Sequence, residues 1–401
     1  MWQRVKNLYH LAQAFLAAVF FNFPSRHLTI IGVTGTDGKT TTTQMIYEIL
    51  KSVGEKVSVV SSIGAIVNSK IIDTGLHITT PNPWQVQKLL RKAIDSGSKY
   101  FVLEATSHGL DQNRLAFVSF KVAVLTNITH EHLDYHKIWQ NYLQAKAKLF
   151  KNVDISVLNA DDESFKLLKS KAGGQIVTYS LKSVTDFNLK KFPLKLKTAS
   201  DYNLANALAA SAAVSSLGIG KEKIIKALNN FSGVEGRMDE IDLGQDFRVI
   251  IDFAHTPNAL GHALKVLRKP QTPNAKLIAV FGSAGERDKE KRTLMGKVAG
   301  ENADISVLTT EDPRKENVED ICASIAQGLI AKGKKEDKDF YLIYDRAKAI
   351  KFAIGLAQKD DVIGLFGKGH EKSMCIGKKE FTWDEFLQAK KAIRERSSHE
   401  K

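Results

Sequence analysis

A glycine-rich loop that follows an apolar run is the segment best suited to chemistry. The run at 28–34 stops at a glycine, and the residues that follow are Gly35, Thr36, Asp37, Gly38, Lys39, Thr40 and Thr41. Glycines let backbone N–H groups face an anion, the lysine supplies positive charge, a threonine hydroxyl can ligate Mg²⁺, and the next helix presents its positive N-terminus. The pattern predicts a site for the phosphates of ATP, although Val33 stands where the common phosphate-binding loop has its first glycine.

Composition narrows the class of protein. The chain has 401 residues, 43% of them hydrophobic and 25% charged, which is typical of a soluble protein of two or three domains. Two cysteines cannot build a disulfide framework or a four-thiolate zinc site, and they fit a reducing, cytoplasmic compartment. The net charge of +14 favours anionic partners such as nucleotides and sugar phosphates. Since no aromatic and basic module accompanies it, we expect no nucleic-acid partner.

The N-terminal segment, 1–27, is predicted to be helical. Its apolar stretch at 8–23 is short for a membrane span, contains His10, Gln13 and Asn22, and precedes no small-residue cleavage site. We interpret it as a helix packed on the body of the protein. Docking on a membrane surface or on a protein partner is the alternative.

Apolar runs alternate with helical stretches along the rest of the chain. The first series lies at 57–61, 100–103 and 122–125, and a second lies at 247–251, 277–281, 305–308, 340–343 and 362–366. This alternation predicts an α/β fold with parallel sheets: a central domain at 28–235 with the phosphate loop, and a C-terminal Rossmann-like domain at 236–401. The segment 233–239, with two glycines and three charges, is the predicted linker.

Polar residues follow several of these runs, at the edge where open α/β sheets bind ligands. Glu104 follows the run at 100–103, where its carboxylate can face nucleotide-bound Mg²⁺; a solvated acid at a strand end is the alternative. The segment 126–136 holds Asn127, His130, Glu131, His132, Asp134 and His136. Such a density of polar groups favours a catalytic or metal loop over a surface loop.

Three further sets of residues are candidates for ligand contacts. Asn203 and Asn206 share a face of a predicted helix and could bond an adenine edge, with helix capping as the alternative. The segments 312–314 and 367–371 follow strands and could form an amino-acid pocket. There Arg292 or Arg314 could hold a carboxylate and Glu371 an ammonium group, unless these residues form structural ion pairs.

Taken in order, these motifs carry a family resemblance from residue 28 to the C-terminus. They stand at 35–40, 79–81, 104–108, 126–127, 132–136, 142–146, 202–206, 236–237, 252–255, 287–288, 291–292, 312–314, 345–346 and 367–371. The series resembles the Mur ligases, and among them the tripeptide synthetases. Each piece is weak by itself, but so many in one order make a chance match implausible.

The resemblance implies ATP-dependent amide formation through an acyl phosphate, in peptidoglycan precursor synthesis. By similarity, Thr40 and Glu104 would bind one Mg²⁺, His132 a second, and Lys146 would be the carbamylated lysine of the family. Arg237 and Asp252 resemble its phosphate and ribose contacts. The implied substrates are a UDP-N-acetylmuramoyl-peptide and a diamino acid, meso-diaminopimelate or lysine. The matching substrate positions are Thr79, Thr80, Ser107, His108, His255, Arg292, Asp312, Arg314, Gly367 and Glu371.

Two departures from the family pattern leave alternatives open. The chain reads Glu311-Asp312-Pro-Arg314 where ligases for meso-diaminopimelate carry Asp-Asn-Pro-Arg, and some 30 residues precede Gly32 where those ligases have a whole domain. We therefore expect the uridine end of the acceptor to contribute less binding energy. A related ligase with a folate or cyanophycin-type acceptor is the second hypothesis, and a non-catalytic nucleotide-binding scaffold the third. The set Lys39, Glu104, His132 and Lys146 argues against the scaffold.

Overall fold

Residues 2–72, 79–129, 133–197, 200–268 and 274–399 are described by the structure, which is a computed structural model. The chain divides into two units, Met1–Ser232 (unit 1) and Gly233–Lys401 (unit 2). Of the helices in the described ranges, none has the length and apolar character needed to cross a membrane.

The described part of unit 1 contains one eight-stranded sheet. Its strands are β1 (Thr29–Thr34), β2 (Val57–Ser61), β3 (Gly64–Val67), β4 (Lys70–Ile72), β5 (Tyr100–Glu104), β6 (Val122–Leu125), β7 (Ile155–Asn159) and β8 (Gln175–Tyr179). The order is β4-β3-β2-β5-β1-β6-β7-β8. The strands β2, β3 and β4 pair antiparallel, and the other neighbours are parallel. Because β1 lies between β5 and β6, the loop after it opens where the strand order reverses, the usual ligand site of such sheets.

Helices cover both faces of this sheet. They are α1 (Trp2–Phe20), α2 (Lys39–Ser52), α3 (Pro83–Asp95), α4 (Ser107–Asp111), α5 (Leu133–His136), α6 (Trp139–Ala147), α7 (Phe165–Lys169), α8 (Asp201–Ser215) and α9 (Lys221–Asn229). Alternate strand residues point to opposite faces, so Ile31 packs with α2, α8 and α9, while Ile30 packs with α3 and α6. Both faces are therefore buried, as expected for parallel strands.

Unit 2 has a second sheet in its described residues. Its strands are β9 (Asp239–Ile241), β10 (Arg248–Asp252), β11 (Leu277–Phe281), β12 (Ile305–Leu308), β13 (Phe340–Leu342) and β14 (Val362–Phe366), in the order β13-β12-β11-β14-β10-β9. The neighbours are parallel except for β9, which runs antiparallel to β10. A small antiparallel hairpin follows, β15 (Ser373–Ile376) and β16 (Lys379–Thr382). The helices are α10 (Pro257–Leu267), α11 (Glu290–Asn302), α12 (Val318–Ile330), α13 (Arg346–Leu356) and α14 (Glu385–His399).

A buried ion pair fixes the loops at the carboxyl edge of this second sheet. Arg346 Nη2 lies 2.6 Å from Glu385 Oε1, and both side chains are fully buried. The same guanidinium donates to the carbonyls of Thr310, after β12, and Phe366, at the end of β14. Removing one partner of such a pair would leave a buried charge without a counterion, so the pair is costly to break. The guanidinium therefore stays in place and holds the two loops together through their carbonyls.

The predicted α/β class with largely parallel sheets is confirmed. The predicted runs at 57–61, 122–125, 277–281, 305–308 and 362–366 coincide with strands. The hairpins β3–β4 and β15–β16 were not predicted, because their strands are short and partly exposed and carry little hydrophobic pattern.

Candidate functional site

The loop between β1 and α2 is held in shape by the residues that follow β6. Thr36 N–H donates to Asn127 O at 2.8 Å, and Asp37 N–H donates to Asn127 Oδ1 at 3.0 Å. Thr126 Oγ1 donates to Asp37 O at 2.6 Å. A Cβ at Gly35 would overlap the side chain of Thr126, so this close approach requires glycine. The loop is therefore preorganised by its neighbours on the sheet.

At its other end, the loop leads directly into the N-terminus of α2. Gly38 is the residue before the helix and has a φ of 80°, and a Cβ there would overlap Asn206. Asn206 is 5% exposed, and its Nδ2 finds no hydrogen-bond acceptor among the described residues. A buried, unsatisfied donor beside an anion-binding loop is suited to a ligand acceptor. Asn203 instead lies in the first turn of α8, where its N–H bonds Ser200 Oγ.

Three side-chain oxygens that could ligate a metal ion lie close together beside the first turn of α2. Thr40 Oγ1 donates to Glu104 Oε2 at 3.0 Å and lies 2.8 Å from Ser62 Oγ. Ser62 N–H also donates to Glu104 Oε2 at 3.0 Å, and Glu104 is only 2% exposed. Within the described ranges, no three His, Cys, Asp or Glu side chains group as a metal site. A hydroxyl and one carboxylate do fit Mg²⁺, which commonly takes its remaining ligands from substrate phosphates and water.

Two lysines bond to carbonyls of the loop. Lys39 Nζ donates to Thr36 O at 2.7 Å, and Lys146 Nζ donates to Gly35 O at 2.6 Å. Lys146 is 1% exposed and lies over the ring of Tyr142, 4.5 Å from its centroid. The Tyr142 hydroxyl in turn lies 3.1 Å from Thr36 Oγ1. Both ammonium groups thus lie at the loop, on carbonyls that a phosphate could replace as partners.

The predicted substrate residues of unit 1 gather behind Glu104. Thr80 Oγ1 donates to Glu104 O at 3.1 Å and accepts from Thr106 N–H at 3.0 Å. Thr79 is partly buried, and Ser107, the first residue of α4, is 2% exposed. The His108 ring lies 4.3 Å from that of Tyr135, centroid to centroid. These residues line the carboxyl edge next to the loop.

Part of the predicted histidine loop lies outside the described residues. This applies to His130, Glu131 and His132, and to the side chain of Asp134. His136 is described: it ends α5, is 5% exposed, and packs its ring against Tyr142. The metal-binding role of His132 therefore stays a prediction.

In unit 2, Asp252 ends β10 and organises the backbone around it. Its carboxylate accepts the N–H groups of Met238 at 2.7 Å and Ala254 at 2.8 Å, and its carbonyl accepts that of Gly367 at 3.1 Å. Arg237 stacks on the ring of Phe253 at 4.4 Å. The two residues predicted to contact phosphate and ribose thus lie in one local cluster.

His255, shortly after β10, is held as a neutral imidazole. Its Nδ1 lies 2.9 Å from Phe253 O, and Lys291 Nζ donates to His255 O at 3.0 Å. Burial, together with the Lys291 charge, lowers the pKa of His255 to about 3. At neutral pH, Nδ1–H therefore donates to the carbonyl, and Nε2 is left as an acceptor.

Asp312 and Glu371, two predicted substrate residues, share a buried lysine. Lys368 Nζ lies 3.0 Å from Asp312 Oδ1 and 2.6 Å from Glu371 Oε2, and the lysine side chain is fully buried. Burial opposes the charge on Lys368, but the two carboxylates outweigh it and raise its pKa. Lys368 is therefore charged at neutral pH, and the triad joins the loops after β12 and β14.

The two candidate arginines have different surroundings. Arg292 is 2% exposed, and both of its Nη atoms lie 3.0 Å from oxygens of Glu316, whose pKa this pairing lowers to about 2. The guanidinium of Arg314 has no hydrogen bond or ion pair with any described residue. The Arg314 backbone is in the left-handed region, with a φ of 52°, and bonds to β15 through Cys375 O. Of the two guanidinium groups, only that of Arg292 therefore has a carboxylate partner among the described residues.

A buried acid lies beside this arginine in sequence. Glu311 is 6% exposed, and its Oε2 has no partner in the part of the chain that the structure describes. Burial raises the pKa of Glu311. Gly367, with a φ of 105°, lies against it, since a Cβ there would come within 2.8 Å of Glu311 Oε2. An unsatisfied buried carboxyl at a sheet edge is suited to a ligand ammonium group.

Sequence reasoning missed several residues that complete these clusters. Ser62 was not predicted, and Tyr142 and Lys368 were given no role of their own, although both lie in quoted motifs; Asn127 was predicted only as part of a catalytic or metal loop. Their position directly after strands, or within a motif already noted, was the available signal.

Comparison with known proteins matches both units. The family model described as "Mur ligase middle domain" matches residues 33–214, and "Mur ligase, glutamate ligase domain" matches residues 236–369. The UDP-N-acetylmuramoyl-L-alanyl-D-glutamate–2,6-diaminopimelate ligase of Caldanaerobacter subterraneus is 38% identical over 93% of this chain and 80% of its own. The UDP-N-acetylmuramyl-tripeptide synthetase of Borreliella burgdorferi is 38% identical over 94% and 78%.

Solved structures of related proteins have a similar fold. That of a UDP-N-acetylmuramoyl-L-alanyl-D-glutamate–2,6-diaminopimelate ligase has a TM-score of 0.61 and 31% identity, over 92% of this chain and 79% of that one. The fold is also that of a folylpolyglutamate synthase/dihydrofolate synthase from Yersinia pestis, solved with AMPPNP and a Mn ion. It has a TM-score of 0.71 and 18% identity, over 97% of this chain and 93% of that one.

Proposed function

Because the chain belongs to the Mur ligase family, we propose that it joins an amino acid to a UDP-N-acetylmuramoyl-peptide, using ATP, in peptidoglycan precursor synthesis. The observation that carries the proposal is the loop after β1, with Lys39 and Lys146 on its carbonyls and the Thr40–Glu104 pair beside it. This arrangement suits a nucleotide whose terminal phosphate is transferred.

The chemistry addresses the low reactivity of a carboxylate. An oxygen of the acceptor carboxylate attacks the γ-phosphorus, the bond to the β-phosphate oxygen breaks, and ADP leaves with the electron pair. The incoming ammonium group loses a proton, and the resulting amine attacks the acyl carbon. The bond from that carbon to the phosphate oxygen breaks, and inorganic phosphate leaves with the electron pair and with the second proton of the nitrogen. In the first step the positive charge of Lys39 offsets negative charge on the transferred phosphoryl group. Lys39 forms no covalent bond in this step and acts only through its position and its charge.

The residues around Thr40 also fit a magnesium ion. Thr40 Oγ1 and Glu104 would hold Mg²⁺ together with phosphate oxygens, and the ion would supply charge neutralisation to the nucleotide. Ser62 keeps the Glu104 carboxylate in place through its N–H group.

Lys146 is the proposed carbamate. Its neutral amine would add to the carbon of CO₂, forming an N–C bond and releasing one proton, which converts a cation into a carboxylate-like ligand at the loop. Enzyme labelled with ¹³C-bicarbonate should show a carbamate NMR signal that is absent in Lys146→Ala. The signal should persist in Lys148→Ala, a matched variant of an exposed lysine. Activity of Lys146→Ala should recover partly with short carboxylic acids. Absence of the wild-type signal would contradict the carbamate.

The incoming amino acid is proposed to be a diamino acid, with meso-diaminopimelate ahead of lysine. Arg314 would take the distal carboxylate, and the Glu311 carboxyl would take an ammonium group. Lysine has no distal carboxylate and would leave the guanidinium without a partner. Asp312 does not remove this demand, because it bonds Lys368 and the N–H of Cys375.

A product screen tests the whole assignment. The protein, ATP and Mg²⁺ are incubated with a panel of acceptors and amino acids, and mass spectrometry identifies the ligated product. We expect product with a muramoyl-peptide and a diamino acid, and none with Lys39→Ala. Product formed only with folate or aspartate-polymer acceptors would overturn the proposed acceptor, and ATP binding without any product would favour the scaffold.

A further inference from the structure

The N-terminal helix α1 has an inverted amphipathic pattern. Leu11 of this helix is partly buried. At about 100° per residue, seven other large apolar residues fall within an arc of about 140° on the outer side of the helix, and Leu11 lies outside that arc. The seven are Val5, Leu8, Tyr9, Phe15, Leu16, Val19 and Phe20, each between 48% and 71% exposed. The opposite side carries Ala14, Ala17 and Ala18, all fully buried, together with the partly buried Gln3 and Asn7. A surface helix ordinarily buries its large apolar side chains, so this outer face is unusual for a folded protein in water.

This orientation is fixed by contacts on the inner side. The helix packs on α3. Asn7 Nδ2 donates to Asp111 O at 3.0 Å, Gln3 Nε2 donates to Tyr135 OH at 2.6 Å, and Asn113 Nδ2 donates to Asn7 O at 3.2 Å. Because these polar bonds would be lost on rotation of the helix, the apolar arc is held outward.

Aromatic residues from two neighbouring segments extend the exposed face. Phe15 lies 5.4 Å from Phe117, and Phe20 lies 5.6 Å from Trp84, measured between ring centroids. Phe117 is 42% exposed and Trp84 is 38% exposed. Such aromatic rings are typical of surfaces that lie at the boundary of a lipid bilayer.

The charged residues of α1 and of the segment that follows it are of one sign. The first 36 residues contain no Asp or Glu, while they include Arg4, Lys6 and Arg26. Lys6 and Arg26 are exposed. A second copy of the chain seated on the same face would bring these cations together, which is unfavourable. An anionic lipid surface instead complements them, at about 1 kcal/mol per basic residue near the membrane.

From the apolar arc and its basic surroundings, we propose that α1 docks the protein on anionic lipid membranes, lying in the plane of the interface with its outer face inserted among the headgroups. The alanine side stays on the body of unit 1, so docking needs no unfolding. The proposal does not depend on which reaction the enzyme catalyses.

Vesicle co-sedimentation tests it with the full chain. Phosphatidylcholine vesicles with a third of phosphatidylglycerol should pellet the protein, and pure phosphatidylcholine vesicles should pellet much less. Leu8→Asp/Leu16→Asp should lower the partition coefficient at least tenfold. Removing one cation, by Lys6→Gln, should lower it about fivefold.

Val184→Asp is the matched control. Val184 is 84% exposed, and its neighbours Leu181 and Phe187 pack on the sheet face opposite to α3. This variant should bind vesicles like the wild type. Circular dichroism and ATP consumption without lipid should be unchanged in every variant. Failure of the wild type to bind anionic vesicles, or equal binding by Leu8→Asp/Leu16→Asp, would overturn the proposal. So would concentration-dependent dimerisation that the double variant abolishes, without lipid binding.

Discussion

The charged side chains at the carboxyl edges of the two sheets have different kinds of bonding partner. In unit 1, Lys39 and Lys146 each donate to a backbone carbonyl of the loop. In unit 2, by contrast, Lys368, Arg292 and Arg346 are each bonded to carboxylates of the same unit. Lys39 thus bonds a neutral partner, whereas the three cations of unit 2 bond carboxylates.

The difference matches the chemistry proposed for each edge. Carbonyl-bonded lysines beside a helix N-terminus are suited to a strongly anionic ligand such as a triphosphate. An edge with internal ion pairs is suited to a zwitterion, whose two charges need one carboxyl group and one cation that are not already paired. Glu311 and Arg314 are residues of this kind among the described part of unit 2.

Removal of Lys39 is expected to have the largest effect. Lys39→Ala should lower kcat by about 10²- to 10³-fold, because charge on the transferred phosphoryl group loses its counterion. Lys51→Ala, on the same helix with a half-exposed side chain, is the control and should stay active. Steady-state ATP consumption measures both, and circular dichroism checks the fold. Wild-type turnover in Lys39→Ala would remove the distinction between the two edges.

Arg314 is expected to set the choice of amino acid. An unpaired, partly buried guanidinium costs roughly 3 to 5 kcal/mol, so wild type should prefer meso-diaminopimelate to lysine by more than about a hundredfold in kcat/KM. Arg314→Ala should abolish this preference, and Lys315→Ala, the exposed neighbour, should keep it. If the ratio is the same in Arg314→Ala and wild type, the free arginine has no role in specificity.

The fold was largely predictable because parallel strands buried on both faces read as continuous apolar runs, such as 277–281 and 362–366. The loop after β1 was noted in the sequence for a different reason, because glycine, lysine and threonine at these offsets are typical of phosphate-binding loops.

Partnerships between distant residues were not predictable. Nothing in the sequence near Arg292 indicates that Glu316 bonds its two Nη atoms, or that Asp312 bonds Lys368 rather than Arg314. These pairings depend on which loops the sheet order brings together. The same holds for Ser62, whose N–H reaches Glu104 only because β2 and β5 are neighbours.

The smallest expected effect is that of breaking the Arg292–Glu316 pair, and it concerns the stability of the fold. The folded pKa of Glu316, about 2, lies below its ordinary value of 4.5, so the pair stabilises unit 2 above pH 4.5 and this contribution is lost as the pH falls toward 2. Glu316→Gln should lower the free energy of unfolding by about 2 kcal/mol at pH 7. Denaturant titrations should show this difference shrinking below pH 4.5. A difference independent of pH would mean that Arg292 is not neutralised from within.

The most direct test of the account follows oxygen from the acceptor carboxylate. With a muramoyl-peptide acceptor labelled with ¹⁸O in its reacting carboxylate, ATP and meso-diaminopimelate, the acyl phosphate route moves one labelled oxygen into inorganic phosphate. Mass spectrometry of the released phosphate should therefore show one ¹⁸O for each product molecule. Ligated product accompanied by unlabelled phosphate would contradict the proposed activation of the carboxylate.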